Sequence, residues 1–225
     1  MSGVAESLAA IRARIESACR RAGRSPSDVS LLAVSKLQPV ALVREAYAAG
    51  QRDFGENYAQ ELRDKAAELS DLAEVRWHAI GPLQSNKAKY VAASAFAFHA
   101  LDRLDVAREL SRRRRGEPLR CFLEINLAGE ETKGGVSAAD APKLADAVRT
   151  LPNLDLVGVM TLPPASTDAE SSRPWFRMLR ELAARVGVAE LSMGTTFDYE
   201  IAVEEGATCV RVGTAIFGER PLKSP

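Results

Sequence analysis

The stretch LLAVSKLQP, residues 31–39, carries the pattern that decides the fold. It begins with four apolar residues, and such an uninterrupted run is typical of a strand buried on both faces, as in a parallel sheet. We predict this strand over residues 31–35. It leads directly into Lys36, and Pro39 then opens a helical pattern. Lys36 therefore stands at the carboxyl end of the first strand, where α/β folds bind their ligands.

Two interpretations of Lys36 are open at this point. Desolvation in a ligand cleft would lower the pKa of its ammonium group and make a nucleophilic amine available for imine formation. Alternatively, the side chain simply extends past the strand end and exposes its charge to water.

Outward from this stretch, apolar strands alternate with helical patterns along the chain. The eight predicted strands span 31–35, 52–55, 75–80, 95–100, 119–125, 154–160, 190–193 and 208–212. The predicted helices span 4–22, 40–49, 56–72, 83–92, 104–115, 138–151, 170–186 and 197–205, with a short last helix near Thr214. This alternation predicts an α/β fold, a single (β/α)8 barrel of the TIM type with an extra N-terminal helix, in one domain over residues 1–225. A doubly wound open sheet is the alternative, disfavoured because no G-x-G-x-x-G follows the first strand.

The composition argues against a nucleic-acid or membrane partner. Thirty Lys and Arg balance thirty Asp and Glu, so there is no global basic field. The one dense charge run, arginines 112–115, is predicted to lie in solvent at a helix end, where the helix dipole favours it. No segment approaches the roughly 18 apolar residues of a membrane span, and the N-terminus lacks the pattern of a signal peptide.

The cysteines indicate a reducing compartment. Cys19, Cys121 and Cys209 are widely spaced and odd in number, without metal-type pairing. This pattern favours Cys121 and Cys209 as core residues, and we expect a cytoplasmic protein.

The eighth predicted strand carries the strongest sign of a ligand. Arg211 interrupts an apolar strand, and a buried guanidinium requires an acceptor, either a protein carboxylate or a ligand atom. Gly213 and Thr214 then lead into a helix, offering backbone N–H groups, a hydroxyl and the positive end of a helix dipole. Phosphate sites after the last two strands recur in barrels of this type.

The seventh predicted strand ends in a similar way. Gly194 permits close approach of the backbone, and Thr195 and Thr196 offer hydroxyls before a second helix. Each threonine motif alone is compatible with simple helix capping by Thr196 or Thr214. Both together, beside Lys36 and Arg211, favour a phosphate ligand.

An imine-forming amine combined with a phosphate site describes a pyridoxal 5′-phosphate (PLP) site. The chemical alternative is a Schiff-base aldolase that acts on a sugar phosphate. Arg211 distinguishes the two as a partner for the pyridine nitrogen. Its guanidinium, which is permanently charged, would donate a hydrogen bond to an unprotonated ring nitrogen. The ring would then remain a weak electron sink.

With these residues in place, the chain resembles the pyridoxal-phosphate homeostasis protein family, whose barrel is related to the N-terminal domain of alanine racemase. The matching motifs are LLAVSK (31–36), FGENY (54–58), WHAIGPLQSNK (77–87), Asn126 with Lys133-Gly134, GVM (158–160), LSMG (191–194) and VRVGTAIFGER (210–220). Each motif alone is weak, but in this order along nearly the whole chain they are highly specific.

The resemblance implies a set of roles for individual residues. Lys36 would hold PLP as an internal aldimine, Arg211 would face the ring nitrogen, and Asn57 would lie beside the cofactor. Thr196, Gly213 and Thr214 would bind the phosphate. His78 and Met160 would line the pocket.

The resemblance also implies partners and a role in the cell. The expected partners are PLP, other B6 vitamers and PLP-dependent apo-enzymes, with no nucleic acid and no membrane. Members are similar to monomeric barrels without established catalysis that supply or buffer PLP and affect the balance of amino and keto acids. The chain departs from the family where Thr195 replaces a larger apolar residue in an otherwise MGMS-like strand end, which bears on packing beside the phosphate.

A second hypothesis is a weak PLP-dependent racemase or lyase. Racemisation needs an acid or base on each face of the substrate, and Lys36 can serve only one face. The second base in alanine racemase is a tyrosine from a separate domain. Of the four tyrosines here only Tyr58 and Tyr199 follow strand ends, and each is also compatible with helix packing. We therefore expect a non-catalytic carrier.

Overall fold

The strand before Lys36 is part of a closed parallel barrel in the computed structural model of the chain, which describes residues 3–130 and 132–219. The strands are β1 (Ser30–Val34), β2 (Asp53–Glu56), β3 (Arg76–Ala79), β4 (Ala97–Leu101), β5 (Leu119–Asn126), β6 (Val136–Ser137), β7 (Leu154–Met160), β8 (Glu190–Thr195) and β9 (Cys209–Val212). Every pairing is parallel, and the contacts of β4 with β5 and of β9 with β1 close eight strands into a ring without β6. The predicted TIM-type barrel is confirmed.

Helices follow the strands and form the outer layer. They are α1 (Val4–Arg21), α2 (Val40–Ala48), α3 (Ala59–Glu68), α4 (Ala88–Ser94), α5 (Leu104–Arg113), α6 (Ala141–Arg149), α7 (Arg173–Val186), α8 (Tyr199–Glu204) and α9 (Thr214–Phe217). Within the described residues, no helix combines the length and apolarity needed to cross a membrane.

The extra N-terminal helix α1 completes this outer layer. The helix that follows β9, α9, has only four residues, so it cannot cover its part of the barrel. Helix α1 packs against α2, α8 and α9 and fills that position. Its apolar stripe is buried as predicted, through Val4, Leu8, Ile11, Ile15, Ala18 and Cys19.

Three sequence predictions need correction. The loop after β5 contains a short strand, β6, which extends the sheet beside β5 and carries too few residues to give a strand pattern. Glu56 belongs to β2 and not to the following helix, which begins only at Ala59. Arg114 is half-buried rather than in solvent, because its guanidinium donates to the carbonyl oxygens of Ala92 and Ala95 near the end of α4.

Alternation along the strands divides the barrel interior into layers. In β9, Cys209 borders a small cavity at the amino ends of the strands, while Arg211 and Gly213 border a cleft at the carboxyl ends. In β1, Ser30 borders the lower cavity, and Val34 and Lys36 border the upper cleft. The upper cleft is the site that the sequence predicts.

Candidate functional site

The cleft at the carboxyl ends of the strands has a volume of about 190 Å³. It is lined by Val34, Lys36, Gln38, Asn57, Ile80, Met160, Leu162, Thr195, Thr196, Arg211, Gly213 and Thr214. All six residues predicted to bind the cofactor are among them, although they come from four different strand ends. The sequence-distant motifs therefore meet in one place.

Lys36 lies in a tight turn directly after β1. Gln38 N donates to Ser35 O over 3.0 Å, and Leu37 has a φ of 60°. A leucine rarely adopts this left-handed conformation, so the surrounding structure must stabilise it. The turn keeps Lys36, which is half-buried, on the cleft side of the strand.

A buried ionic cluster of Glu56, Glu61 and Lys65 holds the two peptide units that flank Lys36. Lys65 Nζ donates to Ser35 O over 2.6 Å and to both carboxylates over 2.8 Å. Glu61 Oε1 accepts from Leu37 N over 2.6 Å. Because these bonds are to the backbone on either side of Lys36, the cluster fixes the position of the lysine without touching the cleft.

Arg211 forms the floor of the cleft. Its side chain is 5% exposed, and it donates from Nη1 to Ser192 Oγ over 2.7 Å and from Nη2 to Thr161 O over 3.0 Å. Burial lowers its pKa, partly opposed by Cys209 and by the more distant carboxylates of Asp198 and Glu124. The sequence predicts a carboxylate or a ligand atom as acceptor, but the protein acceptors are a hydroxyl and a carbonyl. Among the described residues no carboxylate forms an ion pair with Arg211.

The two threonine loops meet at the rim of the cleft. Gly213 N donates to Thr196 Oγ1 over 3.4 Å, which joins the end of β9 to the end of β8. Thr196 and Thr214 are both exposed, so their hydroxyls can reach a ligand. A Cβ at Gly213 would lie 3.1 Å from Val34 O, so the loop packs closely on the end of β1.

Gly194 allows close approach of the chain, as predicted, but the group that approaches is helix α8. Its φ is +87°, and a Cβ there would lie 2.5 Å from the Cβ of Ala202. Thr195 has a local partner, because its N–H and hydroxyl both donate to Asp198 Oδ1, over 2.7 and 3.1 Å. Thr195 therefore bonds to the residue that precedes α8, and it also lines the cleft at a position where the family resemblance implies an apolar side chain.

Asn57 reaches the cleft because of a second glycine. A Cβ at Gly81 would overlap the backbone of Asn57, so only glycine lets the β3 loop pack against the β2 loop. Asn57 is thereby fixed at the edge of the cleft. Met160, at the end of β7, lines it as the resemblance implies.

His78 does not line the cleft, which corrects the expectation from the resemblance. It lies two residues before Ile80 on the inward face of β3, so it is one layer deeper in the barrel. There its Nε2 lies 3.0 Å from Asp53 Oδ1 and its Nδ1 lies 2.9 Å from His99 Nε2.

None of the four tyrosines lines the cleft. Tyr58 is 54% exposed and precedes α3, outside the cleft lining. Tyr199 is buried in α8, where its hydroxyl oxygen has no hydrogen-bond partner among the described residues. Along the described lining, the ionisable groups are Lys36 and Arg211.

Several residues around the site are not found by reasoning from the sequence. They are Gln38, Ile80 and Leu162 in the lining, Glu56, Glu61 and Lys65 in the ionic cluster, and Ser192 and Thr161 as partners of Arg211. The one usable signal is Glu56, a carboxylate that directly follows Phe54 and Gly55 in the strand. Within the described part of the chain, no group of three His, Cys, Asp or Glu could hold a metal ion.

Glu124, at the end of β5, gives a pH-dependent prediction. Burial and the nearby charge of Asp102 raise the pKa of Glu124 to about 7, while Arg211 opposes the shift. Because the folded pKa is above the unfolded value, Glu124 contributes stability at low pH that is lost as the pH rises towards 7. In the wild type, the ionisation of Glu124 should lower the free energy of unfolding by about 2–3 kcal/mol between pH 4.5 and 7. We expect Glu124→Gln to abolish this decrease.

Urea unfolding at several pH values measures this effect. Glu117→Gln, at an exposed glutamate, is the control and should leave the pH profile unchanged. If Glu124→Gln and the wild type have parallel profiles, folding does not shift the pKa of Glu124 and the assignment is wrong.

The closed parallel barrel, with a cleft at the carboxyl ends of its strands, defines a class of ligand-binding proteins. Comparison with known proteins identifies this class. Residues 7–221 match the family model described as alanine racemase, N-terminal domain. Alanine racemase from Corynebacterium glutamicum has the same fold, with a TM-score of 0.66 at 18% identity over 97% of this chain and 63% of that chain. At this identity the similarity concerns the fold alone.

The chain belongs to the pyridoxal phosphate homeostasis protein family within this class. The protein of that name from Pseudomonas aeruginosa is 48% identical over 229 residues, covering 100% of this chain and 99% of the relative. The structure of PipY from Synechococcus elongatus, solved with PLP bound, is 37% identical with a TM-score of 0.85. It covers 96% of this chain and 100% of PipY. The family predicted from the motifs is thus confirmed.

Proposed function

We propose that this protein binds PLP at Lys36 and serves PLP homeostasis, holding the cofactor and supplying it to apo-enzymes. One observation carries the proposal. A primary amine, a buried guanidinium that forms no ion pair with a carboxylate of the described residues, and two exposed hydroxyls border a single cleft. The names of the full-length relatives and the PLP-bound structure of PipY support the same conclusion.

The donor set fits the chemistry of PLP. The cofactor has an aldehyde for an amine, a dianionic phosphate for N–H and hydroxyl donors, and a pyridine nitrogen for a hydrogen-bond donor. The amine is that of Lys36. The loops of Thr196 and Thr214 provide the donors for the phosphate, and Arg211 provides the donor for the pyridine nitrogen. Because Arg211 is cationic and the described lining contains no carboxylate, the cleft also complements the negative charge.

In this proposal Lys36 holds the cofactor covalently through Nζ. The ionic cluster of Glu56, Glu61 and Lys65 orients it, since the cluster fixes the peptide units on both sides. Thr196, Gly213 and Thr214 bind the phosphate through hydroxyl and backbone N–H donors. Asn57 bounds the cofactor on the side of β2.

Two features favour a carrier over a racemase or lyase, namely Arg211 and the lack of a second acid or base in the described lining. A guanidinium stays protonated, so it donates a hydrogen bond to the ring nitrogen without giving it a proton. Proton transfer at both faces of a substrate would also need a second acid or base. The described lining offers only Lys36 for proton transfer.

The remaining parts of the proposal concern partners and location. We expect transfer of PLP to PLP-dependent apo-enzymes, binding of other B6 vitamers, a monomeric protein and a cytoplasmic location. The three buried free cysteines, Cys19, Cys121 and Cys209, suit a reducing compartment. Titration of the purified protein with PLP, followed by absorption spectroscopy, tests the central statement. A protein whose spectrum stays that of free PLP would overturn it.

The phosphate site gives a prediction of its own. Thr196→Ala and Thr214→Ala each remove a hydroxyl donor to a charged group, which typically costs about 1.5–3 kcal/mol. We expect weaker binding of PLP and little change for unphosphorylated pyridoxal. Isothermal titration with both ligands measures the difference.

Thr150→Ala is a suitable control, because the hydroxyl of Thr150 bonds only locally, to Ala147 O, at the surface. If the two site variants lose the same affinity for both ligands, the threonines act as helix caps and not as phosphate ligands.

A further inference from the structure

Beneath the floor of the cleft, a continuous chain of polar side chains runs through the barrel interior. Arg211 Nη1 lies 2.7 Å from Ser192 Oγ, and Ser192 Oγ lies 2.8 Å from His99 Nδ1. His99 Nε2 lies 2.9 Å from His78 Nδ1, and His78 Nε2 lies 3.0 Å from Asp53 Oδ1. This series of hydrogen-bonded side chains connects the cleft with the opposite end of the barrel.

The two ends of this series of hydrogen bonds restrict its direction. Arg211 can only donate, so Ser192 Oγ accepts from it. At the other end an ionised Asp53 can only accept, so His78 donates from Nε2. A neutral His78 then accepts at Nδ1 from His99 Nε2–H, and His99 accepts at Nδ1 from the hydroxyl of Ser192. If His78 is neutral, every hydrogen bond points from Arg211 towards Asp53.

The surroundings keep both ends in these states. Arg76 donates to Asp53 with Nε and Nη2, over 2.7 and 2.6 Å. Burial would raise the pKa of Asp53, but the hydrogen bonds from His78 and Arg76 outweigh it and lower the pKa. His99 is fully buried and stacks on Phe122 with ring centres 4.2 Å apart. Burial, together with the nearby His78 and Arg211, lowers the pKa of His99 well below its usual range, so it is neutral.

We propose that Ser192 and His99 are positioning residues for Arg211: polarised by Asp53, they hold the guanidinium against the barrel interior so that it can serve the cofactor. The proposal rests on the PLP-binding function proposed above. Ser192 and Thr161 use one N–H from each terminal nitrogen of Arg211, which fixes the plane of the group. The alternative His99 tautomer would place an N–H against Ser192 Oγ and leave the serine hydroxyl without this acceptor.

The direction of the chain can be measured directly, because the protein has only two histidines, His78 and His99. Long-range ¹H–¹⁵N correlation on histidine-labelled wild-type protein should show both residues as neutral Nε2–H tautomers. A doubly protonated His78, or a His99 protonated at Nδ1, would overturn the proposed polarity. This measurement needs no cofactor, so it remains decisive even if the wild type fails to bind PLP and the proposed function falls.

The positioning role is tested by PLP affinity. Ser192→Ala removes the oxygen that holds Arg211, and we expect about tenfold weaker PLP binding, with Ser192→Thr restoring affinity because it keeps the hydroxyl. Ser111→Ala is the matched control, since Ser111 is equally buried but donates to Pro152 O outside the barrel. Circular dichroism confirms that each variant is folded.

A double-mutant cycle separates this role from general packing. If Ser192 acts through Arg211, then Ser192→Ala should change PLP affinity by less than about twofold in an Arg211→Met background. An equal tenfold loss in both backgrounds would show that Ser192 supports the fold and not Arg211, and would overturn the proposal while leaving PLP binding itself intact.

Discussion

Lys36→Ala is expected to abolish covalent attachment of PLP while the barrel stays folded. Lys36 carries the only primary amine along the described lining of the cleft. Its side chain is half-buried after the end of β1, so its removal should cost little stability, about 1 kcal/mol or less. Absorption spectroscopy of the variant with added PLP should show only the free cofactor, and thermal unfolding should remain cooperative.

Lys87→Ala is the control for this experiment. Lys87 lies near the same end of the barrel, in a neighbouring depression with Asn57, Tyr58 and Arg103. The Lys87→Ala protein should bind PLP like the wild type. If the Lys36→Ala protein retains the spectrum of bound PLP, or the Lys87→Ala protein loses it, then Lys36 is not the attachment site.

The second large effect that we expect is that the PLP-loaded protein does not accelerate proton exchange on amino acids. Deuterium exchange at the α-carbon of both alanine enantiomers, in heavy water with the PLP-loaded protein, should stay near the rate with free PLP. Two features are the basis of this expectation. Arg211 would leave the ring of a bound cofactor a weak electron sink, and Lys36 is the only group for proton transfer in the described lining.

The same samples should reactivate a PLP-dependent apo-enzyme, which is the positive arm of the experiment. Exchange at about 1 s⁻¹ or faster would be ordinary enzyme turnover. That result would establish the racemase or lyase alternative. A protein that neither exchanges the proton nor transfers the cofactor would contradict the supply role.

The elements that the sequence predicts well are those with a local cause. The apolar run before Lys36 and the helix after Gly213 each carry their structural reason within a few residues. Their strands, loops and positions around the cleft follow the prediction closely. Arg211 is predictable for the same reason, because a charge within an apolar strand needs a partner.

What the sequence does not reveal depends on contacts between distant strands. Ser192 reads as an ordinary strand residue, and only the pairing of β8 with β9 brings it to Arg211. His78 falls in a motif of the family and is thereby assigned to the cleft, but the layering of the barrel interior puts it deeper. Lys65 reads as a surface lysine of a helix, yet it is 5% exposed because it bonds to Ser35 O.

The most direct test of the account is to identify the residue that holds the cofactor. PLP-loaded protein is reduced with borohydride, digested, and the modified peptide is located by mass spectrometry. The account predicts a single pyridoxyl group, on Lys36 in the peptide that contains LLAVSK. A modification on Lys87 or Lys133, or none at all, would contradict it.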